Sequence, residues 1–221
     1  MVLFLNQIHS FYVLLYERYS FSFYNHKNIK IRMKVLIIDN FDSFTHNLAQ
    51  LIEKTVGPNY CIIKNDREKI NLDEYEKIIF SPGPGIPKEE AGIMHHILTN
   101  YQQTKRILGI CLGHQAIAEF YGAKLINLTN VYHGIQSNIN VIDPADSLFK
   151  NLPLSIKGGL YHSWGVSNSN FPECLKITTI SADGIIMGVS HKIYDIKGLQ
   201  FHPESIMTDY GEMIIRNWLS K

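Results

Sequence analysis

The chain has 221 residues, 45% of them hydrophobic, enough to build one domain around a sizeable core and to exclude a small disulfide-stapled scaffold or a disordered tail. Lys and Arg total 21 against 20 Asp and Glu, a balance with no field to draw nucleic acid or an anionic membrane. Three cysteines, Cys61, Cys111 and Cys174, form no C-x-x-C pair, so neither a disulfide framework nor a zinc site of ordinary spacing is indicated, and reduced thiols in an intracellular compartment are expected.

Residues 1–32 are rich in aromatics but carry no helical or strand period. As a signal peptide they fail three ways: there is no charged n-region, Asn6, Gln7 and His9 break the apolar run, and no small-residue cleavage site follows. The segment is also too interrupted to span a bilayer. Ser10, Ser20 and Ser22 beside several basic residues and the lone acid Glu17 allow a transit-peptide reading. The plainer expectation is an N-terminal extension outside the fold, with Met33 as an internal start and one domain over residues 33–221.

From Lys34 the pattern alternates. Residues 34–39 (KVLIID) are an uninterrupted apolar run, as in a strand buried on both faces of a parallel sheet. Asp42 and Ser43 are candidate caps for a helix reaching about residue 54, with Phe44, Leu48, Leu51 and Ile52 on one face and Gly57-Pro58 as the stop. Short strands follow at 60–64 and 77–80, then the turn-dense SPGPG of residues 81–85 and a helix at 91–101. A strand at 106–110, a helix at 113–121 and a strand at 124–128 complete a strand–helix repetition that means a parallel sheet with helices on both faces.

After about residue 137 the grammar changes. Strands at 139–142, 175–180, 185–190 and 197–201 are separated by turns without crossover helices, which predicts added antiparallel strands in the C-terminal half. A last helix, capped at Asp209 with Glu212 three residues on, is expected to bury Met213, Ile214, Trp218 and Leu219.

The strongest chemical signal is Gly109-Ile-Cys111-Leu-Gly113 at a strand-to-helix junction, the thiol counterpart of the G-x-S-x-G elbow. The sharp turn crowds backbone two positions before and after the nucleophile, so residues without a Cβ are needed there. At a helix N-terminus the Cys111 thiolate is favoured by unpaired N–H groups and the helix dipole, and the Leu112 N–H faces a developing oxyanion. Most free cysteines are simply small buried hydrophobes. Cys61, inside the apolar YCII, fits that description; Cys111 does not, because two glycines at an element junction are costly unless the geometry requires them.

A thiolate needs a base. In Phe201-His202-Pro203-Glu204, Pro203 forces His202 into extended backbone, and the i, i+2 spacing puts imidazole and carboxylate on one side. Ser81-Pro-Gly-Pro-Gly is either an ordinary tight turn or a loop whose N–H groups complete an oxyanion hole; it carries no phosphate-loop spacing. Tyr161-His-Ser-Trp-Gly is a core cluster or a pocket wall. His95 and His96 are adjacent on a helix and face apart, so no metal site is expected.

Together, IIDNFDSFTHNL (37–48), SPGPGIP (81–87), LGICLGHQAIAEFYG (108–122), YHSWGV (161–166) and FHPESIMT (201–208) resemble class I, triad-type glutamine amidotransferases, in that family's motif order. Within it the chain is most similar to the amidotransferase subunits of anthranilate synthase and of para-aminobenzoate (aminodeoxychorismate) synthase. The resemblance implies a flavodoxin-like open sheet, a nucleophile at Cys111, a base at His202 and an orienting acid at Glu204. It implies oxyanion donors at Gly83 and Leu112, and a glutamine pocket shaped by Gly83, Pro84, Gly85, Gln115, Ser163 and Trp164. It implies no cofactor in this chain and, as partner, the chorismate-using synthase component, anthranilate synthase component I. Three positions depart from the pattern: Trp164 stands for the usual Leu after the YHS serine, Leu160 for an Arg, and Ile135 for the Lys of an HGK motif. The lost cations bear on partner contacts more than on the triad, and leave open a non-catalytic binding subunit; a stand-alone γ-glutamyl thiol hydrolase is the other alternative. A composition rich in Ile, Asn, Lys and Tyr and poor in Ala is that of proteins from AT-rich genomes, and the resemblance, which includes plastid-encoded members, implies plastid (chloroplast) stroma, with bacterial cytoplasm as the alternative.

Overall fold

A computed structural model describes residues 34–67 and 70–220; the extension expected over residues 1–32 lies outside them. In chain order the elements are β1 (Lys34–Asp39), α1 (Thr45–Val56), β2 (Tyr60–Lys64), β3 (Tyr75–Phe80), the single turn α2 (Pro87–Glu90), α3 (Ile93–Tyr101), β4 (Arg106–Ile110) and α4 (Leu112–Phe120). Then come β5 (Leu125–Asn127), β6 (Ile135–Val141), a 3-10 turn at Ser147–Phe149, β7 (Ser155–Leu160), β8 (Trp164–Val166), β9 (Leu175–Ser181), β10 (Ile186–His191), β11 (Ile196–Leu199) and α5 (Gly211–Leu219).

The strands form one sheet in the order β2-β1-β3-β4-β11-β10-β9-β6-β7, with β5 and β8 joined through β10. From β2 to β11 every pairing is parallel; from β11 onward every pairing is antiparallel. The flavodoxin-like parallel half that the resemblance implies and the antiparallel extension that the pattern predicts are both present, but the strand expected at 124–128 in the parallel repetition, β5, instead pairs antiparallel with β8. The six-residue β7 and the three-residue β8, neither of which the sequence pattern predicts, supply part of the antiparallel half. Gly158 and Gly159 blunt the apolar signal of β7, and both are close-approach positions: a Cβ on Gly159 would stand 2.9 Å from the Ser205 hydroxyl.

Alternate residues of the central strands serve opposite faces. Val35, Ile37, Ile79, Leu108 and Ile110 join Leu48 and Ile52 of α1 and Ile214 and Trp218 of α5 in one cluster. Leu36, Ile38, Ile78, Phe80 and Ile107 join Ile93, Met94 and Ile97 of α3 and Ala116 and Ile117 of α4 in the other. Both faces of the sheet are therefore covered by helices.

Two helix starts differ from the expected caps. Asp42 accepts the Phe44 N–H at 2.7 Å, one position outside α1, and no side chain caps the helix itself. At α5 the Asp209 N–H donates to the Lys157 carbonyl, Tyr210 takes a left-handed φ of 59°, and Glu212 pairs with Arg216. The start is set by packing: a Cβ on Gly211 would meet the Pro203 carbonyl oxygen. Burial of Ile214, Ile215, Trp218 and Leu219, worth about 1.5–3 kcal/mol per large side chain, outweighs the roughly 1–2 kcal/mol cost of a left-handed residue. Met213, expected in the core, is 39% exposed, because it lies on the opposite side of α5. Cys61 and Cys174 are half-buried free thiols.

Candidate active site

The parallel strands end at one edge, and the turns that follow them converge there. After β1, Asp39 turns inward and its Oδ1 accepts from the Phe41 and Asp42 N–H groups and the Thr45 hydroxyl, while Lys64 pairs with Oδ2 at 2.5 Å. Burial opposes ionisation of Asp39, but the Lys64 ammonium and the Thr45 hydroxyl outweigh it and hold the carboxyl below its usual range. Asn40 then ties this turn to the next one: its N–H donates to the Ser81 hydroxyl, its Nδ2 to the Ser81 carbonyl, and its Oδ1 accepts from Asn65. That lattice fixes the 81–85 loop where it leaves β3. Gly83 lies against the elbow, with a hypothetical Cβ 2.5 Å from Leu112 Cδ2 and 2.6 Å from Asn40 Cβ. Pro84 and Gly85 are exposed; Gly85 has φ 72°.

At the end of β4, Cys111 adopts φ 51° and ψ −103° and immediately precedes α4. Such a backbone costs about 1–3 kcal/mol for a residue with a side chain and persists only where its surroundings enforce it. Here the enforcement is visible. A Cβ on Gly109 would overlap the Gly113 carbonyl oxygen, and one on Gly113 would come 2.5 Å from that of Phe80. The Cys111 N–H is tied to the Leu199 carbonyl at 2.8 Å. Leu112 opens α4, and its N–H belongs to the first turn, where amides lack intrahelical acceptors. Cys111 is 6% exposed.

His202 follows β11 in a turn pinned on both sides. Its N–H donates to the Gly159 carbonyl at 3.1 Å, and its carbonyl accepts from the Thr208 hydroxyl at 2.5 Å. Nδ1 donates to Glu204 Oε1 at 2.7 Å, with both side chains enclosed. Nε2 has no aligned hydrogen-bond partner, and Cys111 is coupled to the ring electrostatically. Burial disfavours the imidazolium, but the negative charges of Cys111 and Glu204 outweigh it, so the basicity of His202 is raised. Phe44 and Tyr161 stand edge-on to the imidazole at 5.1 and 4.8 Å between centroids. These two rings hold it in place and keep water off it.

A buried polar network also reaches the sulfur, and the sequence motifs include only part of it. Gln200 is fully buried, and its Nε2 donates to Cys111 Sγ at 3.6 Å. Gln115 Nε2 donates to Gln200 Oε1 at 3.0 Å and to the Trp164 carbonyl at 2.9 Å. The same carbonyl accepts from His162 Nδ1 at 2.8 Å. Burial holds His162 neutral, with its pKa pushed down to about 4, and fully buried His114 is pushed down to about 3. Ser163 and Trp164 are half-buried, and the Ser163 carbonyl accepts from the Leu128 N–H. A signal for Gln200 was present in the sequence: it is the one polar residue between Gly198 and Phe201 in an otherwise apolar run, and a buried amide requires partners.

A cleft of about 530 Å³, lined by Phe44, Tyr161, Pro203 and Glu204 among others, opens between α1 and the His202 turn. Neither Cys111 nor Gln115 lines it, so it lies behind the His202–Glu204 pair rather than over the sulfur. Among the described residues no helix is long and apolar enough to cross a membrane.

Comparison with known proteins agrees with this geometry. The chain is 45% identical over 188 residues to a putative anthranilate synthase component II of Haemophilus influenzae, covering 85% of this chain and 96% of that protein. It is 38% identical over 191 residues to an aminodeoxychorismate synthase component 2 of Klebsiella aerogenes, covering 85% of this chain and all of the relative. Among solved structures, a putative GMP synthase subunit from Thermoplasma acidophilum superposes with a TM-score of 0.77 at 27% identity, over 89% of this chain and 94% of that one. The glutamine amidotransferase class-I family profile matches residues 36–221, and the chain belongs to that family.

Proposed function

We propose that this chain is the glutaminase subunit of a chorismate-using synthase, with Cys111, His202 and Glu204 as its catalytic triad. The observation that carries the reading is the strained Cys111 elbow, coupled to a buried His202 whose other nitrogen is held by Glu204. Cys111 attacks the side-chain amide carbon of L-glutamine, and the N–H groups of Gly83 and Leu112 hold the tetrahedral oxyanion. His202 passes a proton to the departing amine, ammonia leaves, and a γ-glutamyl thioester remains. Water, activated by the same imidazole, then releases glutamate. Gln115, Ser163 and Trp164 form the wall against which glutamine binds.

Ammonia set free in water at neutral pH is protonated and loses its nucleophilicity, so it has to pass directly to an acceptor site. The acceptor is proposed to lie on a separate synthase subunit binding chorismate. The tryptophan-branch reading, anthranilate synthase with a component I partner, rests on the greater likeness to the Haemophilus influenzae relative. The second reading, para-aminobenzoate synthesis, rests on the likeness to the Klebsiella aerogenes protein. Titrating the purified chain against each synthase partner in turn, and measuring which gains glutamine-dependent turnover, separates the two. A location in plastid stroma, with bacterial cytoplasm as the alternative, is part of the same proposal, and fractionation of the source cells tests it.

The deciding experiment for the triad is Cys111→Ala. Glutamine-dependent synthesis with the partner is expected to vanish while synthesis from added ammonium persists. Loss of both activities would overturn the assignment, since it would place the defect in the partner complex.

A further inference from the structure

The Gln115–Gln200 chain is polarised from one end. The Trp164 carbonyl can only accept, so Gln115 has to present its Nε2 there, and that same nitrogen donates its second hydrogen to Gln200. Gln200 therefore offers its oxygen to Gln115 and has no choice but to turn its Nε2 toward Cys111 Sγ, at 3.6 Å. A fully buried amide is thus locked with a donor, never an acceptor, on the sulfur. A donor aimed at sulfur favours the anion over the neutral thiol.

We propose that Gln200 is a positioning residue for the nucleophile: its amide hydrogen-bonds the Cys111 sulfur and stabilises its thiolate, with the orientation of that amide enforced through Gln115 by the Trp164 carbonyl. The inference rests on the reading of Cys111 as nucleophile. Two groups act on the sulfur, the Gln200 amide through a hydrogen bond and the His202 imidazole electrostatically, so the attacking atom is prepared before substrate arrives. The arrangement also links the nucleophile to the residue expected to touch substrate glutamine, since Gln115 serves both. His202, with Glu204 behind it, is the titratable group that acts on the sulfur; His162, in the loop before β8, is affected by His202, and His114 on α4 is affected by His162.

The test reads the sulfur directly. Alkylation of Cys111 by iodoacetamide is followed across pH by peptide mass spectrometry, which separates it from Cys61 and Cys174, in the full chain and in Gln200→Met and Gln200→Glu. Met keeps the length without the donor; Glu keeps the acceptor for Gln115 and turns an oxygen to the sulfur. The expected result for Met is a roughly tenfold slower alkylation at neutral pH, with the midpoint of the curve moved up by about one pH unit, and a larger shift for Glu. Glutaminase kcat falls by a larger factor than KM rises. A curve superimposable on that of the parent chain, in a variant with an unchanged thermal melt, would overturn the proposal. If Gln200→Met does not fold, Gln200→Asn withdraws the amide by one methylene and is expected to give the same slower alkylation. Because alkylation requires no glutamine, a parent chain that fails to hydrolyse glutamine while its curve still shifts would count against the glutaminase reading alone.

Discussion

Gly83 sits so close to Leu112 that a single added methyl carbon would come within 2.5 Å of the leucine side chain and 2.6 Å of Asn40 Cβ. The loop after β3 and the first turn of α4 are therefore in contact without room for a Cβ, the arrangement needed if their N–H groups are to point at one oxygen. Gly83→Ala is expected to push the loop off the elbow and to lower glutaminase kcat by about a hundredfold or more, the typical loss for one oxyanion donor. Ammonium-dependent synthesis with the synthase partner is expected to survive. Glutaminase activity within a few-fold of the parent would remove Gly83 from the site.

The elbow and the His-x-Glu pair were legible because each depends on local geometry that residue spacing encodes. Gly109 and Gly113 announce a crowded turn, and Pro203 between His202 and Glu204 announces an extended one. What the sequence hid are contacts made across the fold. Gln200 reaches Cys111 over a separation of 89 residues, and Phe44 and Tyr161 meet at the imidazole from the turn before α1 and the loop after β7. The start of α5 differs from the local cap for the same reason. Asp209 and Glu212 form a plausible local cap, but the close approach of Gly211 to the Pro203 carbonyl, a tertiary constraint, decides where the helix begins.

Glu204→Gln is expected to retain the hydrogen bond to His202 Nδ1 while removing the negative charge behind it. The basicity of His202 is raised by Cys111 and Glu204 against the opposing effect of burial. Deleting one of these charges lowers it, so the imidazolium is lost at lower pH. The alkaline limb of the kcat/KM profile for glutamine is therefore expected to move down in pH, with kcat reduced about ten- to a hundredfold. An alkaline limb that stays in place, or moves up, would show that Glu204 does not act on the base.

Asp146 supports the antiparallel half of the sheet from beneath. Its Oδ2 accepts from Lys197 and Ser190 at 2.5 Å, and its Oδ1 from the Leu148 N–H at 2.9 Å. Burial disfavours its ionised form, and Lys197 outweighs that and keeps its carboxyl low. Asp146→Ala leaves a nearly enclosed ammonium unpaired, an expected loss of about 3–5 kcal/mol. The contribution is complete above the ordinary carboxylate range and is lost as pH falls through the lowered folded value. Urea unfolding at neutral and at acid pH is thus expected to show the gap between parent and variant shrinking on acidification; a gap below about 1 kcal/mol at neutral pH would contradict the assignment.

Lys77 carries the opposite charge, but its pKa moves in the same direction. Its side chain is buried in β3 and donates to the last-turn carbonyls of Trp218 and Leu219 at 3.1 and 2.6 Å, anchoring the C-terminus of α5 to the sheet. Burial, reinforced by Arg106, pushes its pKa from 10.5 down to about 8. Between those two values the unfolded chain holds a proton that the folded chain has released, so this group adds stability as pH rises through the window. Lys77→Met has no such term. The stability of the parent relative to the variant is expected to increase between about pH 7.5 and about pH 9.5, no more steeply than about 1.4 kcal/mol per pH unit. Urea unfolding of both chains at the two pH values reads the difference. A gap that is flat or narrows with rising pH would mean that the ammonium is not disfavoured by its position under α5.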